Sequence, residues 1–145
     1  MPAGMEWVVE AHGCDPQSLA EMSRLRELFA CMVAEIGLRP VGETQWHQFP
    51  RTAEDPFGSA QGRLCATLIG GITGLCLLAE SHLAVHTFPE HGSLCLNLFC
   101  CKARADWDFA GYLKEHFGAQ SVEVRKLERD YTSASALSSA VKGTR

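Results

Sequence analysis

The chain has 145 residues, enough for one domain and short for two. Apolar residues make up 46% and charged residues 21%, an ordinary globular balance that excludes disorder, collagen and coiled coil for the chain as a whole. Seven cysteines is an odd number, which excludes a fully paired disulfide framework within one chain, and a net charge of −4 argues against a nucleic-acid binder.

No run reaches the length of a transmembrane helix, and residues 1–6 show neither a basic stretch nor a signal-like apolar run. The expectation is a protein of the reducing cytoplasm with free thiols and no membrane partner. In chain order, residues 7–11 are β-rich and bounded by Gly13 and Asp15-Pro16, which predicts a first strand. Asp15 is a good N-cap and Pro16 suits the first helical position. Leu19, Met22, Leu25, Leu28, Phe29, Met32, Val33 and Ile36 then recur at three- and four-residue steps. This is one apolar face of a helix packed on a core, closed by Gly37. Residues 38–49 predict an irregular strand and residues 50–62, with two prolines and two glycines, a loop.

From residue 64 to 99 the chain is apolar and β-branched, broken by Gly70-Gly71, Gly74, Pro89 and Gly92, which predicts strands separated by turns. Asp106 is read as the cap of a second helix carrying Trp107, Ala110, Leu113 and Phe117, with Gly118 after it. Residues 121–129 alternate as a half-exposed strand. Residues 132–145, rich in Ser and Ala, are expected to be a disordered tail behind a domain of residues 1–131. The fold class is α+β, a two-layer sandwich of an antiparallel-rich sheet and two main helices.

Polar groups crowd the apolar region at Glu80, Ser81, His82, His86 and Glu90. Buried polar groups are costly unless partnered, so the cluster needs a chemical reason. Metal binding by His82, His86, His91 and Cys95 fits poorly: residues four apart on a strand lie about 13 Å apart and cannot share one ion. Val85, Thr87 and Pro89 oppose the helix that would bring the two histidines together. A serine hydrolase fits poorly too, since Ser81 does not sit in a G-x-S-x-G elbow. Parity separates the adjacent cysteines. If residues 94–101 form a strand, Leu94, Leu96, Leu98 and Cys100 share a packing face, whereas Cys95, Asn97, Phe99 and Cys101 share a mixed one. Cys14, Cys31, Cys65, Cys76 and Cys95 are expected to be structural thiols.

Glu80-Ser81-His82-Leu83, His86-Thr87-Phe88-Pro89-Glu90 and Cys101, 20 positions after Ser81, together resemble the prokaryotic S-adenosylmethionine decarboxylase proenzyme family. The resemblance extends to Glu10, Cys14-Asp15, the aromatic-His-x-Phe at Trp46 to Phe49, and a turn at Gly71-Ile72-Thr73-Gly74, spanning roughly residues 5–130. It implies a zymogen that cuts itself between Glu80 and Ser81, converting Ser81 into a covalent pyruvoyl group, the pyruvate cofactor. That group would form a Schiff base with S-adenosylmethionine and decarboxylate it for spermidine and other polyamine synthesis. It further implies His86 as processing base, Thr73 as a hydroxyl assisting processing, and Cys101 as the proton donor. Phe49 and Phe88 would stack on adenine, and Glu90 would bind ribose; Phe88 replaces a more usual Trp. No metal is implied. The implied assembly is a homodimer of processed protomers, each two fragments, with helices outside and sheets facing.

The sequence departs from the family between Phe49 and Gly71, 22 positions apart, where residues 50–68 are extra. This bears on substrate, because an L-arginine or L-ornithine decarboxylase of the same family would want a carboxylate such as Glu54, Asp55 or Glu90. A further alternative is an unprocessed, non-catalytic or metal-binding relative.

Overall fold

The computed structural model describes residues 4–51 and 69–132. Residues 52–62 of the expected loop, Cys65, residues 52–68 of the extra segment with Glu54 and Asp55, and the tail from residue 133 onward lie outside the described residues. Six strands form one sheet: β1 (Gly4–His12), β2 (Gln45–Pro50), β3 (Ile69–Leu78), β4 (Ser81–Phe88), β5 (Ser93–Cys100) and β6 (Ser121–Arg129). Their spatial order is β2-β3-β4-β5-β1-β6, and every neighbouring pair is antiparallel. The helices are α1 (Pro16–Leu19), α2 (Met22–Ile36) and α3 (Phe109–Phe117).

The sheet has one covered and one open face, and strand alternation decides which residue goes where. Trp7, Val9 and Ala11 of β1, Ile72, Cys76 and Leu78 of β3, Leu83 and Val85 of β4, and Leu94, Leu96, Leu98 and Cys100 of β5 are buried. They form one core with Leu19 of α1, Leu25, Leu28, Phe29 and Met32 of α2, and Phe109, Leu113 and Phe117 of α3. On the open face Phe49, Leu75, Leu77, Phe88 and Leu127 are exposed apolar residues.

The helix expected from Pro16 to Ile36 is in fact two. Asp15 caps α1, accepting from the amides of Gln17 and Ser18, but the chain turns at Ala20 and α2 starts at Met22. The break has a physical cause in the sheet. The Leu19 carbonyl accepts from Thr87 Oγ1 at 2.7 Å, and the Ala20 carbonyl from Gln48 Nε2 at 2.6 Å. Gly37 closes α2 in the left-handed region, as the pattern predicts. Asp106 is not the cap of α3. Asp108 is, accepting from the Gly111 amide, while Asp106 takes Trp7 Nε1 at 3.1 Å and Lys126 at 2.8 Å. Residues 38–44 are not strand, apart from a bridge between Pro40 and Leu78; β2 begins at Gln45.

The glycines at 71 and 74 do not make a turn but lie inside β3. A Cβ on Gly71 would stand 2.2 Å from the Thr87 carbonyl oxygen, and one on Gly74 would stand 2.3 Å from the Trp46 ring. Both positions are glycine because a neighbour fills the side-chain space.

Candidate active site

β3 and β4 are joined by Ala79-Glu80 alone, with Leu78 opposite Ser81. Two-residue hairpins normally carry Gly or Asn where φ is positive. Here the positive φ falls on Ser81, at 149°, the one non-glycine residue with positive φ among those described. A side chain in this region costs of order 1–3 kcal/mol and persists only where the surroundings hold it.

Those surroundings are unusually directed. The Glu80 carbonyl, which is the carbonyl of the Glu80–Ser81 peptide bond, accepts from the Cys101 amide at 2.7 Å. The Cys101 carbonyl in turn accepts from the Tyr131 hydroxyl at 3.0 Å. The Glu80 side chain points inward and is fully buried, with Oε1 bonded to Arg39 Nε at 2.9 Å and Arg104 Nη2 at 3.2 Å. Oε2 accepts from the Arg39 amide at 3.4 Å. Burial pushes the Glu80 carboxyl upward, but the Arg39 side-chain bond and backbone donors outweigh it and hold the carboxyl below its ordinary range.

Cys100 and Cys101 separate as parity predicts. Cys100 is fully buried among the core residues, and burial pushes its thiol up to about 11. Cys101, one residue past β5, is partly exposed beside the Glu80–Ser81 bond.

A second group gathers at the other end of β4. Thr73 of β3 lies opposite His86 of β4, with Oγ1 3.0 Å from the imidazole Nδ1. Phe88 is 39% exposed on the open face, and Phe49 of β2 is 49% exposed with its ring against His47, centroids 4.5 Å apart. Glu90 stands in the short 3₁₀ turn Pro89–His91 that follows β4. From the Ser81 end of β4 a polar chain crosses β5 and β1 to β6. His82 Nε2 meets Asn97 Oδ1 at 2.7 Å, Asn97 Nδ2 donates to Glu6 at 2.8 Å, and Arg129 pairs with Glu6. The Asn97 bond is the main reason the Glu6 carboxyl sits below its ordinary range; burial opposes it and Arg129 assists.

The structure therefore brings Glu80, Ser81 and Cys101 together, and brings Thr73 and His86 together. It does not bring the two sets to each other within one chain. Five residues of extended strand put His86 roughly 16 Å from Ser81, and seven put Phe88 roughly 23 Å away. Arg39, Arg104 and Tyr131 carry no local pattern that marks them in the sequence; only the fold places them beside residues 80 and 101. Asn97 was legible as a polar position on the Cys101 face of β5.

A family model described as S-adenosylmethionine decarboxylase matches residues 5–130. The chain is similar to the S-adenosylmethionine decarboxylase proenzyme of Thermococcus gammatolerans, 32% identical over 87% of this chain and 76% of that one. It is similar to the proenzyme of the same name from Pyrococcus furiosus, 33% identical over 87% of this chain and 78% of that one. The fold matches the crystal structure of the adenosylmethionine decarboxylase from Aquifex aeolicus with a TM-score of 0.62, at 22% identity, covering 90% and 93% of the two chains.

Proposed function

The chain belongs to the S-adenosylmethionine decarboxylase family of pyruvoyl-dependent carboxy-lyases, and on that premise we propose that it is a proenzyme that cuts itself between Glu80 and Ser81 and then decarboxylates S-adenosylmethionine for polyamine synthesis. The observation that carries this reading is the strained Ser81 next to a carbonyl already held by a backbone donor. Ser81 Oγ attacks the Glu80 carbonyl carbon and gives its proton to a base. The oxyanion forms where the Cys101 amide donates, 2.7 Å from the Glu80 oxygen. The C–N bond then breaks, the nitrogen takes the proton, and an ester joins Glu80 to Ser81 Oγ. Loss of the Ser81 α-proton expels the Glu80 carboxylate and leaves a dehydroalanine, which water converts to the pyruvoyl group and ammonia.

His86 is the proposed base. With Nδ1 engaged by Thr73 at 3.0 Å, Nε2 is left for proton transfer. The His86 of the same chain stands too far along β4 to serve its own Ser81. The reading therefore includes a homodimer in which the open faces meet with strands opposed, so that each Ser81 end lies against the other copy's His86, Phe88 and Glu90. The exposed Leu75, Leu77 and Leu127 support a covered face there.

The positive φ of Ser81 and the backbone bond to the Glu80 carbonyl support conversion of this serine into a pyruvoyl group. When formed, that group supplies an electron sink for loss of carbon dioxide. The chain's own residues do the rest. Phe49 and Phe88 offer aromatic faces to adenine, Glu90 accepts from ribose hydroxyls, and the Cys101 thiol returns a proton to the substrate α-carbon. The six cysteines among the described residues are unpaired, which suits the reducing cytoplasm where we place the enzyme.

The test is the mass of the purified protein and its product. The wild-type chain is expected as two fragments, residues 1–80 and 81–145, and Ser81→Ala as one. Carbon dioxide release, measured in parallel on S-adenosylmethionine, L-arginine and L-ornithine, is expected from the first. An uncleaved wild-type chain overturns the self-processing reading; release from arginine or ornithine alone overturns the substrate.

A further inference from the structure

Glu80 occupies the second position of a two-residue turn, where a glutamate ordinarily reaches into water. Here it points inward and is 1% exposed. A carboxylate taken from water is costly unless fully partnered. Its partners come from two distant segments. Arg39 lies in the stretch before β2 that is tied to the end of β3, with Ala79 donating to the Arg39 carbonyl at 2.8 Å and Val41 to the Leu77 carbonyl at 2.8 Å. Arg104 lies beyond the end of β5, three residues after Cys101. The arginines are 65% and 25% exposed, so the charge is clamped from the surface inward and from both flanks of the turn.

From this arrangement we propose that Arg39 and Arg104, acting through Glu80, are positioning residues for self-cleavage at Ser81. The proposal rests on the self-processing reading and extends it to two residues outside the motif. Ser81 can keep a φ of 149° only if neither neighbour relaxes. On its C-terminal side β4 is locked by pairing with β5, His82 opposite Phe99. On its N-terminal side the turn has only two residues, and the clamp removes the freedom of the second. The carboxylate is fixed by the arginines and the carbonyl by the Cys101 amide, so the Glu80 carbonyl carbon cannot drift from Ser81 Oγ. Release of the carboxylate lets the turn rotate, Ser81 returns to ordinary φ, and the attacking oxygen loses its line to the carbonyl. Misplacement by about 1 Å is enough to slow such a step by roughly 10²-fold.

The experiment is a pulse-chase of the full chain made by cell-free translation, following conversion of intact chain to the two fragments on a denaturing gel. Arg104→Ala, Arg39→Ala, Arg104→Lys and Arg39→Lys are compared with the parent, and each is also placed on Ser81→Ala to measure melting without cleavage. Parental cleavage is the control for the reading itself: if the parent stays intact, self-processing fails and not the clamp. With the parent cleaving, the alanine variants are expected to cleave at least about tenfold more slowly. The lysine variants keep the charge and the fold, and are expected to recover part of the rate. Hydroxylamine, which cuts esters, is expected to release no extra fragment from the slow variants, because the ester is not formed. Guanidinium ion is expected to accelerate Arg104→Ala and leave the parent unchanged, which a merely structural arginine would not show. If the alanine variants cleave at the parental rate, the proposal is overturned; if they cleave slowly and the lysine variants, melting like Ser81→Ala alone, recover none of the rate, it is overturned as well. Accumulation of hydroxylamine-sensitive ester also overturns it, since the defect would then lie after the acyl shift.

Discussion

Two adjacent cysteines in one strand terminus have opposite chemistry because one backbone step carries a side chain from core to surface. Cys100 is buried, its thiol pushed up to about 11 by that burial, so it is a packing residue. Cys101 offers its amide to Glu80 and its side chain to the partly exposed edge. Its two proposed roles separate by substitution. Cys101→Ala keeps the amide and is expected to cleave normally, yet to lose about 10²–10⁴-fold in carbon dioxide release. Cys100→Ala is expected to retain turnover and lose stability. Parallel cleavage gels and turnover assays on the two variants check this, and an exchange of phenotypes would reverse the assignment. Ser81 offers a second residue-scale measurement. Ser81→Gly and Ser81→Ala both prevent cleavage, but only glycine tolerates a φ of 149°. Glycine forfeits about 0.5–1 kcal/mol of chain entropy and recovers about 1–3 kcal/mol of strain. The glycine chain is therefore expected to unfold at higher urea than the alanine chain. An alanine chain of equal or greater stability would show that the serine is not strained.

At the scale of elements, the β3–β4 hairpin is held by a charge, which makes its stability pH-dependent with a definite sign. Glu80 has a folded-state carboxyl below the ordinary 4.5, because the arginine and backbone bonds outweigh burial. A depressed carboxyl contributes stability that is fully present above the unfolded value. It is lost as pH falls from about 4.5 through the folded value. Glu6, bonded by Asn97 and Arg129, contributes in the same direction. Urea unfolding of the Ser81→Ala chain is therefore expected to show stability falling as pH drops below about 4.5, with a shallower fall when Glu80→Gln is added. An unchanged slope would mean that the Glu80 carboxyl titrates alike in the folded and unfolded chains, and a steeper fall that burial outweighs the arginine bonds. The same scale shows what sequence reasoning could reach. Period and alternation located the sheet, both main helices and their glycine caps, because these depend on neighbours three, four or two residues away. The break at Ala20, the glycines inside β3 and the cap at Asp108 depend on Gln48, Thr87, Trp46 and Lys126, which only the assembled fold delivers. The motif at residues 80–90 was legible as chemistry, whereas the arginine clamp was not, since its parts are 41 and 24 residues from Glu80.

At the scale of the whole molecule, the sheet itself divides the proposed chemistry. One chain carries the Glu80–Ser81 bond and Cys101 at one end of β4 and Thr73, His86 and Phe88 at the other, roughly 16–23 Å apart along the strand. No rotamer closes such a gap, and hinge bending of a strand paired on both sides by β3 and β5 would break its ladder. Two copies related by a two-fold axis and meeting on their open faces would bring unlike ends together twice, giving two complete sites. Complementation tests this directly. Alone, a Ser81→Ala chain has no serine to convert, and a His86→Ala chain has no base in either copy, so neither is expected to be cleaved. Co-expressed, they form mixed dimers in which the His86→Ala chain keeps its own Ser81 and meets an intact His86 across the interface. Tagging the two chains differently and resolving them on a denaturing gel is expected to show cleavage of the His86→Ala chain only. About half of that chain is expected to be cut if equal amounts pair at random. If it remains intact in verified mixed dimers, His86 does not act across the interface as proposed. If it is cleaved when expressed alone, His86 is not the base at all.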